Sequence, residues 1–272
     1  MYIADALICA SGLGFSYNKA GLILKDVSAE IPRGSFSCVI GRNGSGKSTF
    51  VKILSGIYSG YLGTVIYNDE DIRNIPAKKL ASVLAFIPQY SFIQENNISV
   101  YEFLTAGRYS YKKFTDFFYD SGDFSAISAA LDILGITELR DRLLSGLSGG
   151  ERQKVLIALA LVQLDIGSDL RGKTLIIDEP LTYLDVNYQF EIFNVLSKLN
   201  REKGLTVIAV IHDLNMSIKF TGFTLLMESG RIIRAGKTID IITEESIGKY
   251  FMINAQIVNF ENEFHINFIP TG

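Results

Sequence analysis

The stretch from Gly41 to Thr49 constrains the fold most, because it matches the G-x-x-x-x-G-K-[S/T] pattern of a phosphate-binding loop. The five residues before it are typical of a short buried strand, and the apolar residues after Lys47, through Ile57, recur at helical spacing. In this order, glycines let backbone N–H groups face an anion and the helix adds its positive end. The alternative is a glycine-rich turn that merely joins a strand to a helix. We expect a polyphosphate site in an α/β fold.

Within this loop, Lys47 and Ser48 are expected to have different roles. Lys47 would place a positive charge between the β- and γ-phosphates, and the Ser48 hydroxyl would complete the shell of a magnesium ion. The residues expected around the phosphates are Gly41, Arg42, Asn43, Gly44, Ser45, Gly46, Lys47, Ser48 and Thr49.

Bulk composition excludes several classes of protein. With 272 residues, 48% of them hydrophobic, the chain can bury one sizeable core. A net charge of −3 and the lack of a Lys/Arg cluster argue against a nucleic-acid partner. Cys9 and Cys38 lack metal-ligand spacing. The N-terminal residues do not show the pattern of a secretory signal, a basic region followed by an apolar core. No apolar run approaches about 18 residues, so we expect a cytoplasmic chain without a membrane span.

Polar residues follow three apolar segments that are typical of buried parallel strands. Gln89 follows the first, Asp178 and Glu179 follow the second, and His212 follows the third. Open α/β sheets bind ligands at the carboxyl ends of their strands. Each residue alone could lie in a solvated surface loop; together with the phosphate loop they predict one site.

A second anion site is indicated near residue 148. Ser148 and Glu151 have the spacing of a capping box, which would satisfy two free N–H groups of a helix running to about Leu164. A cap alone does not require the consecutive glycines Gly149 and Gly150, which expose bare amides at the positive end of a helix.

The remaining segments predict the rest of the architecture. Before the phosphate loop, short antiparallel strands broken by Gly12 and Gly14 are expected, with Tyr17 either packing among them or stacking on a base. Residues 109–119 are aromatic, and either pack inward or form a docking patch for a partner. The last residues, 253–272, predict a hairpin.

These motifs, in this order from Leu7 to Phe251, resemble the nucleotide-binding subunit of ATP-binding cassette (ABC) transporters. The signature Leu147–Glu151 distinguishes this family from kinases and GTPases. Within the family, His212-Asp213-Leu214-Asn215, Thr182–Asp185 and the run from Ile98 to Gly107-Arg108-Tyr109 are similar to bacterial importers of iron–siderophore complexes, haem and vitamin B12.

The resemblance implies a fold and a division of the chain. The fold is α/β, with a P-loop NTPase (RecA-like) core, an N-terminal antiparallel β subdomain and an inserted helical subdomain. A single domain of residues 1–272 would comprise a core with its β subdomain in 1–90 and 146–235, helices in 91–145 and an extension in 236–272.

The resemblance also implies roles at the site. Tyr17 would stack on adenine. Ser48 and Gln89 would reach magnesium, and Asp178 would hold it through its water shell.

For hydrolysis, Glu179 would act as general base, and His212 would contact the γ-phosphate and help to position the water. Lys47 and Gln89 complete the expected catalytic set.

In this family two copies pack head to tail and bury two ATP molecules. Ser148, Gly149, Gly150 and Glu151 would then bind the ATP of the other copy, and Asp185 would link the two sites.

The expected function is therefore that of an ATP-hydrolysing importer subunit at the cytoplasmic face of the membrane. It would drive uptake of an iron–siderophore, haem or cobalamin-type chelate through separate permease chains, with a substrate-binding protein acting indirectly. One alternative is a soluble cassette ATPase, as in iron–sulfur cluster assembly. Another is a binding module that closes on ATP without turnover, against which the presence of both Glu179 and His212 argues. Leu159 and Leu181 depart from the family pattern, and the loop 164–173 is longer than usual.

Overall fold

The computed structural model describes residues 5–17, 21–89, 97–112, 119–179, 185–261 and 263–269. The strands are β1 (Ala6–Phe15), β2 (Leu24–Pro32), β3 (Phe36–Ile40), β4 (Leu62–Tyr67), β5 (Glu70–Asp71), β6 (Leu84–Ile87), β7 (Thr174–Asp178), β8 (Thr206–Val210), β9 (Phe223–Glu228), β10 (Arg231–Lys237), β11 (Asn254–Phe260) and β12 (Glu263–Ile269). The α-helices are α1 (Lys47–Leu54), α2 (Ala77–Val83), α3 (Val100–Thr105), α4 (Ser121–Ile133), α5 (Gly149–Gln163), α6 (Val186–Lys203), α7 (Leu214–Phe220), α8 (Thr238–Ile241) and α9 (Glu244–Phe251). The predicted α/β class is confirmed.

The chain forms two compact units. The first comprises residues 1–74 and 207–272, and the second comprises residues 75–206. Within the described ranges, none of the helices combines the length and the apolar composition needed to cross a lipid bilayer.

In the first unit, β3 is the central strand. It pairs in parallel with β8 on one side and with β9 on the other, and β10 extends the sheet antiparallel to β9. All five residues of β3 are buried, which explains its unbroken apolar sequence. A separate sheet of this unit has the strand order β2-β1-β4-β5 and is antiparallel.

The prediction that Gly12 and Gly14 break the first strand is wrong. β1 runs through both glycines, and its register with β2 shifts between Ala10 and Leu13. Gly12 has φ 61°, so it accommodates a bulge that bends the strand without ending it. The sequence also predicted helical spacing as far as Ile57, but α1 ends at Leu54. Gly56, with φ 76°, turns the chain after the helix.

The second unit pairs β6 with β7 in parallel, Leu84 opposite Thr174 and Ile87 opposite Ile177. Its helices α3 and α4 lie within residues 91–145, where the resemblance implies helices. The long loop 164–173 is held from inside by the buried Ile166 and Leu170. In addition, Lys173 Nζ donates to the carbonyl of Leu164 over 2.5 Å.

The aromatic segment 109–119 is described only in part, and Phe114, Phe117 and Phe118 lie outside the described residues. Tyr109 is 79% exposed, whereas the Tyr111 hydroxyl donates to the carbonyl of Gln163 over 3.0 Å. In the described part, Tyr111 is therefore held inward and Tyr109 is exposed, and docking of a partner on this segment stays a prediction. At the other end of the chain, the predicted hairpin is present as β11 paired with β12.

Candidate functional site

The phosphate loop joins β3 to α1 in the first unit and requires glycine at two positions. Gly41 has φ 148°, and a Cβ there would lie 2.2 Å from the carbonyl oxygen of Met227. Gly46, the N-cap of α1, has φ 100°, and its Cβ would lie 2.9 Å from Leu24 Cδ2. Any side chain would therefore push the loop off the sheet or the helix off the loop.

Lys47 folds into this loop and is 4% exposed. Its Nζ donates to the carbonyls of Gly41, over 2.9 Å, and of Arg42, over 3.1 Å. The hydroxyl of Ser45 is buried and, among the described residues, has no hydrogen-bond partner. A loop with an ammonium ion inside it, next to the N-terminus of α1, fits a polyphosphate.

The outer part of the loop is open. Arg42, Asn43 and Gly44 are exposed and line a cavity of about 190 Å³ together with Tyr250 and Met227–Ser229. The backbone N–H of Gly230 donates to the carbonyl of Ser45 over 3.0 Å, which ties the loop to the turn after β9.

Tyr17 lies beside the beginning of α1. Its hydroxyl is 3.0 Å from the hydroxyl of Thr49, and its ring meets Phe15 and Tyr58 edge to face at 5.1 and 5.6 Å. The side chain is 54% exposed, so part of the ring is open to a planar ligand.

His212 lies at the same sheet edge as the phosphate loop. Val39 of β3 is paired with Val210 of β8, and the N–H of Ile211 donates to the carbonyl of Val39 over 3.3 Å. Because parallel strands end at one edge, Gly41 and His212 follow adjacent strand ends. The imidazole is exposed there.

In the second unit, the strand ends bring together Gln89 and Glu179. The Nε2 of Gln89 donates to Oε2 of Glu179 over 2.8 Å. This orientation turns the amide oxygen of Gln89 away from the carboxylate, where it can approach a cation. Asp178, the last residue of β7, is fully buried.

Glu179 has φ 52°, a left-handed conformation that costs a non-glycine residue about 1–2 kcal/mol. Strain of this kind is retained where the surrounding structure fixes a side chain for function. Glu179 therefore combines an unusual backbone with a direct bond to a second predicted site residue.

The predicted capping box at α5 is present. The Ser148 hydroxyl accepts from the N–H of Glu151 over 3.3 Å, and Glu151 Oε2 accepts from the N–H of Ser148 over 2.7 Å. These bonds from the Ser148 backbone and hydroxyl, together with Arg142 at 2.9 Å, lower the pKa of Glu151. The carboxylate is thus held in its charged form at the positive end of the helix.

The two signature glycines differ in their surroundings. A Cβ at Gly149 would meet nothing within 4 Å among the described residues, whereas one at Gly150 would lie 3.5 Å from the ring of Tyr188. Gly149 therefore has no packing reason within the described chain to be glycine. Asp185, the other residue expected at an interface, is the N-cap of α6 and accepts from the N–H of Tyr188 over 3.0 Å.

The side chains predicted to bind magnesium are of the chemical type that this ion prefers. Among the described residues, no group of three or more His, Cys, Asp or Glu side chains could hold a metal. The predicted donors are oxygens: the Ser48 hydroxyl, the Gln89 amide and the Asp178 carboxylate. Magnesium prefers oxygen ligands and commonly takes only one or two from protein, with phosphates and water supplying the others.

Sequence reasoning noted Arg108 and Asn215 only as parts of a resemblance. The Arg108 guanidinium is buried and bonds to Asp123 Oδ1 over 2.9 Å. The Asn215 amide bonds to the backbone of Ile266. Their partners are distant in the sequence, 15 residues away for Arg108 and 51 for Asn215, so no local pattern identifies them.

Comparisons with known proteins agree with this arrangement. Residues 24–182 match the sequence profile of the ABC transporter family. The chain is 35% identical over 246 residues to the iron(3+)-hydroxamate import ATP-binding protein FhuC of Bacillus subtilis, covering 90% of this chain and 88% of that protein. It is 33% identical to the ferric enterobactin transport ATP-binding protein FepC of Escherichia coli, covering 87% of this chain and 84% of that protein.

Among solved structures, an ABC transporter assigned to the metal-chelate type, in an inward-facing conformation, superposes with a TM-score of 0.80. It is 25% identical, and the match covers 98% of each chain. The predicted P-loop NTPase fold is confirmed by this similarity. The chain therefore belongs to the ABC transporter family and is one of its ATP-binding proteins, an ATPase.

Proposed function

We propose that this ATPase powers the import of a ferric siderophore, or of a related chelate such as haem or a cobalamin, through separate membrane permease subunits. Two relatives that match over most of their length are named for hydroxamate and enterobactin transport, which supports the siderophore class. The structural neighbour of metal-chelate type supports the wider class of cargo.

One observation carries the catalytic part of this proposal, the 2.8 Å hydrogen bond between Gln89 and Glu179. Because the amide occupies Oε2, the second carboxylate oxygen of Glu179 can accept a proton from an attacking water. A general base of this kind contributes about 10²–10⁴-fold to a rate. His212, exposed at the edge where β3 and β8 end, would contact the γ-phosphate and help to orient the water.

Binding of ATP would use the first unit. Gly41–Thr49 would surround the phosphates, and Lys47 would exchange the carbonyls of Gly41 and Arg42 for phosphate oxygens, which are stronger acceptors. Tyr17 would offer its exposed ring to adenine. Its bond to Thr49 fixes the ring at the start of the same helix.

Magnesium, when bound, would neutralise charge that develops on the phosphates during transfer. Ser48 and Gln89 would bind it directly, and Asp178 would do so through water. The complete burial of Asp178 fits a carboxylate held rigidly for this purpose.

The working form would be a head-to-tail pair of copies with ATP between them. Ser148, Gly149, Gly150 and Glu151 of one copy would bind the phosphates held by the other, and Asp185 would contact the partner's site. The open space at Gly149 supports this role, since a phosphate can approach the bare amides at the start of α5.

The pair would be peripheral to the membrane, at its cytoplasmic face, held there by the permease. A substrate-binding protein would act on the permease rather than on this chain.

The test is purification of the tagged full chain from detergent-solubilised native membranes, followed by an ATPase assay. The Glu179→Gln variant serves as control for hydrolysis by contaminating enzymes. Co-purification of a polytopic permease with hydrolysis above the Glu179→Gln level would support the proposal. An active ATPase that brings only soluble partners would overturn the transport role and leave the chemistry intact.

A further inference from the structure

The C-terminal hairpin is fastened to the helix that follows His212. Asn215, the second residue of α7, donates from Nδ2 to the carbonyl of Ile266 over 3.2 Å. Its Oδ1 accepts from the N–H of the same residue over 2.7 Å. The Asn215 side-chain amide thus forms hydrogen bonds with both the N–H and the carbonyl of Ile266 in β12, as a residue of a neighbouring strand would.

A second bond follows one turn later on the same face of α7. Lys219 is four residues after Asn215, and its Nζ pairs with Glu263 Oε2 over 2.5 Å, at the beginning of β12. Ile266, the partner of Asn215, is the buried residue of that strand. Helix α7 therefore has one face on the hairpin, while Met216 and Ser217 are buried on another.

α7 needs such support because it is short. A helix of seven residues is unstable alone, and tertiary packing supplies most of its stability. Its N-cap, Asp213, accepts from the N–H groups of Asn215 and Met216 over 2.8 and 3.2 Å. Since Asp213 directly follows His212, any shift of α7 moves the backbone that carries the imidazole.

The other strand of the hairpin has its own anchor. The N–H of Ile257 in β11 donates to Glu244 Oε1, at the first residue of α9, over 2.8 Å. The hairpin is thus held on both strands and can act as a brace for α7.

We propose that the C-terminal hairpin holds His212 in its working position, and that Asn215 is the positioning residue through which it acts. This inference rests on the role proposed above for His212.

The experiment compares ATP turnover by the full-length protein with single and double substitutions. Asn215→Ala should lower kcat about 3- to 10-fold, a loss that corresponds to about one neutral hydrogen bond. KM and the Kd for ATP should change less than about twofold, because the phosphate loop is untouched. The matched control is Asn267→Ala, which makes the same change at an exposed residue next to Ile266 and should leave kcat unchanged.

A merely structural role is separated by two further readouts. Amide hydrogen exchange of residues 214–220 should become faster in Asn215→Ala and not in Asn267→Ala. The double variant His212→Ala/Asn215→Ala should be no slower than His212→Ala alone, since Asn215 acts through the imidazole. Should Asn215→Ala fail to fold, Asn215→Asp keeps the size and the acceptor for the Ile266 N–H but sets a carboxylate oxygen against the Ile266 carbonyl, so its kcat should also fall below the wild-type value.

The outcomes distinguish the two proposals. If α7 exchanges faster in Asn215→Ala while kcat stays at the wild-type value, or if the two losses multiply, the hairpin does not position His212. If His212→Ala itself turns over normally, the role proposed for His212 is wrong and this inference falls with it.

Discussion

Gln89 and Glu179 occupy equivalent positions after two paired parallel strands, and the amide of the first donates to the carboxylate of the second over 2.8 Å. Ile87 lies opposite Ile177 in the register, and Gln89 and Glu179 each follow two residues later, so their side chains lie next to each other at the end of the strands. A residue expected at magnesium therefore touches the expected base directly. If both proposed roles hold, magnesium binding and water activation would take place at one pair of strand ends.

The first prediction concerns Glu179→Gln. The variant keeps an acceptor for Gln89 and removes the base, so turnover should fall about 10²–10⁴-fold. ATP affinity should stay within about twofold, and the two-copy form should accumulate with ATP in size-exclusion chromatography, since ATP is no longer cleaved. Glu202→Gln, at an exposed residue of α6, is the control and should behave as wild type. Normal turnover in Glu179→Gln would remove Glu179 as the base.

A second prediction concerns Lys47→Ala. The variant loses the buried ammonium ion that now bonds to the carbonyls of Gly41 and Arg42. Titration calorimetry should give an ATP Kd raised about 10- to 100-fold, because a hydrogen bond to a charged group contributes about 1.5–3 kcal/mol. Lys25→Ala, at an exposed residue of β2, should not change the Kd. An unchanged Kd in Lys47→Ala contradicts the assignment of the loop.

A third prediction separates function from stability at Gly149. Its Cβ would meet nothing within 4 Å, so Gly149→Ala should not lower the unfolding temperature. The added methyl would instead meet the phosphate of the second copy, and turnover should fall at least about tenfold, a loss of about 1.4 kcal/mol of transition-state stabilisation. Gly248→Ala, also helical with open space, is the control for both measurements. If turnover is unchanged in Gly149→Ala, Gly149 does not lie against the phosphate of the second copy.

The fourth prediction concerns pH. The pKa of Glu151 is lowered from its ordinary value of 4.5, first by the Ser148 N–H and then by the Ser148 hydroxyl and Arg142. A carboxyl with a lowered folded pKa stabilises the protein above its unfolded pKa and loses this contribution as the pH falls through the folded value. Urea unfolding should therefore show Glu151→Ala less stable than wild type at pH 7. The difference should begin to shrink below about pH 4.5 and vanish only in stronger acid. A difference independent of pH would exclude the charged form of Glu151 as its source.

Much of this site could be predicted from the sequence because its signals are local. A glycine loop between an apolar strand and a helix, and polar residues just after buried strands, need only a few neighbouring residues to be recognised. The strand β3, the capping box of Ser148 and the strand-end positions of Gln89 and His212 all follow from such patterns.

What could not be predicted depends on distant partners. Asn215 and Ile266 are 51 residues apart, and no local pattern pairs them. The bulge at Gly12 arises from the register of β1 with β2, and the left-handed backbone of Glu179 has no local sequence signal because glutamate rarely adopts it. In the loop 164–173, Asp165 lies 3.3 Å from Arg108, a residue 57 positions earlier in the chain that no local pattern pairs with it.

The fifth prediction follows from that contact. Arg108 is buried, bonds to Asp123 over 2.9 Å and lies 4.0 Å from the centre of the Tyr111 ring. Removing one member of a buried ion pair leaves an uncompensated charge, so Arg108→Met should lower the free energy of unfolding by about 3–5 kcal/mol. Urea titration measures this change. Lys112, which also contacts Asp123, would reduce the loss toward the lower figure.

The double variant Arg108→Met/Asp123→Leu tests the reason for that loss. It removes both charges of the pair and fills the space with apolar groups, so it should regain part of the stability, while Lys112 keeps Asp120 as its partner. Arg171→Met is the surface control, because its ion pair with Asp169 is exposed and should leave unfolding unchanged. If the double variant is as unstable as Arg108→Met, the guanidinium acts through its contact with the Tyr111 ring and its hydrogen bond to the Val162 carbonyl instead of through the charge of Asp123. If Arg108→Met unfolds at the same urea concentration as wild type, the ion pairs of Arg108 with Asp123 and Asp165 do not stabilise the fold.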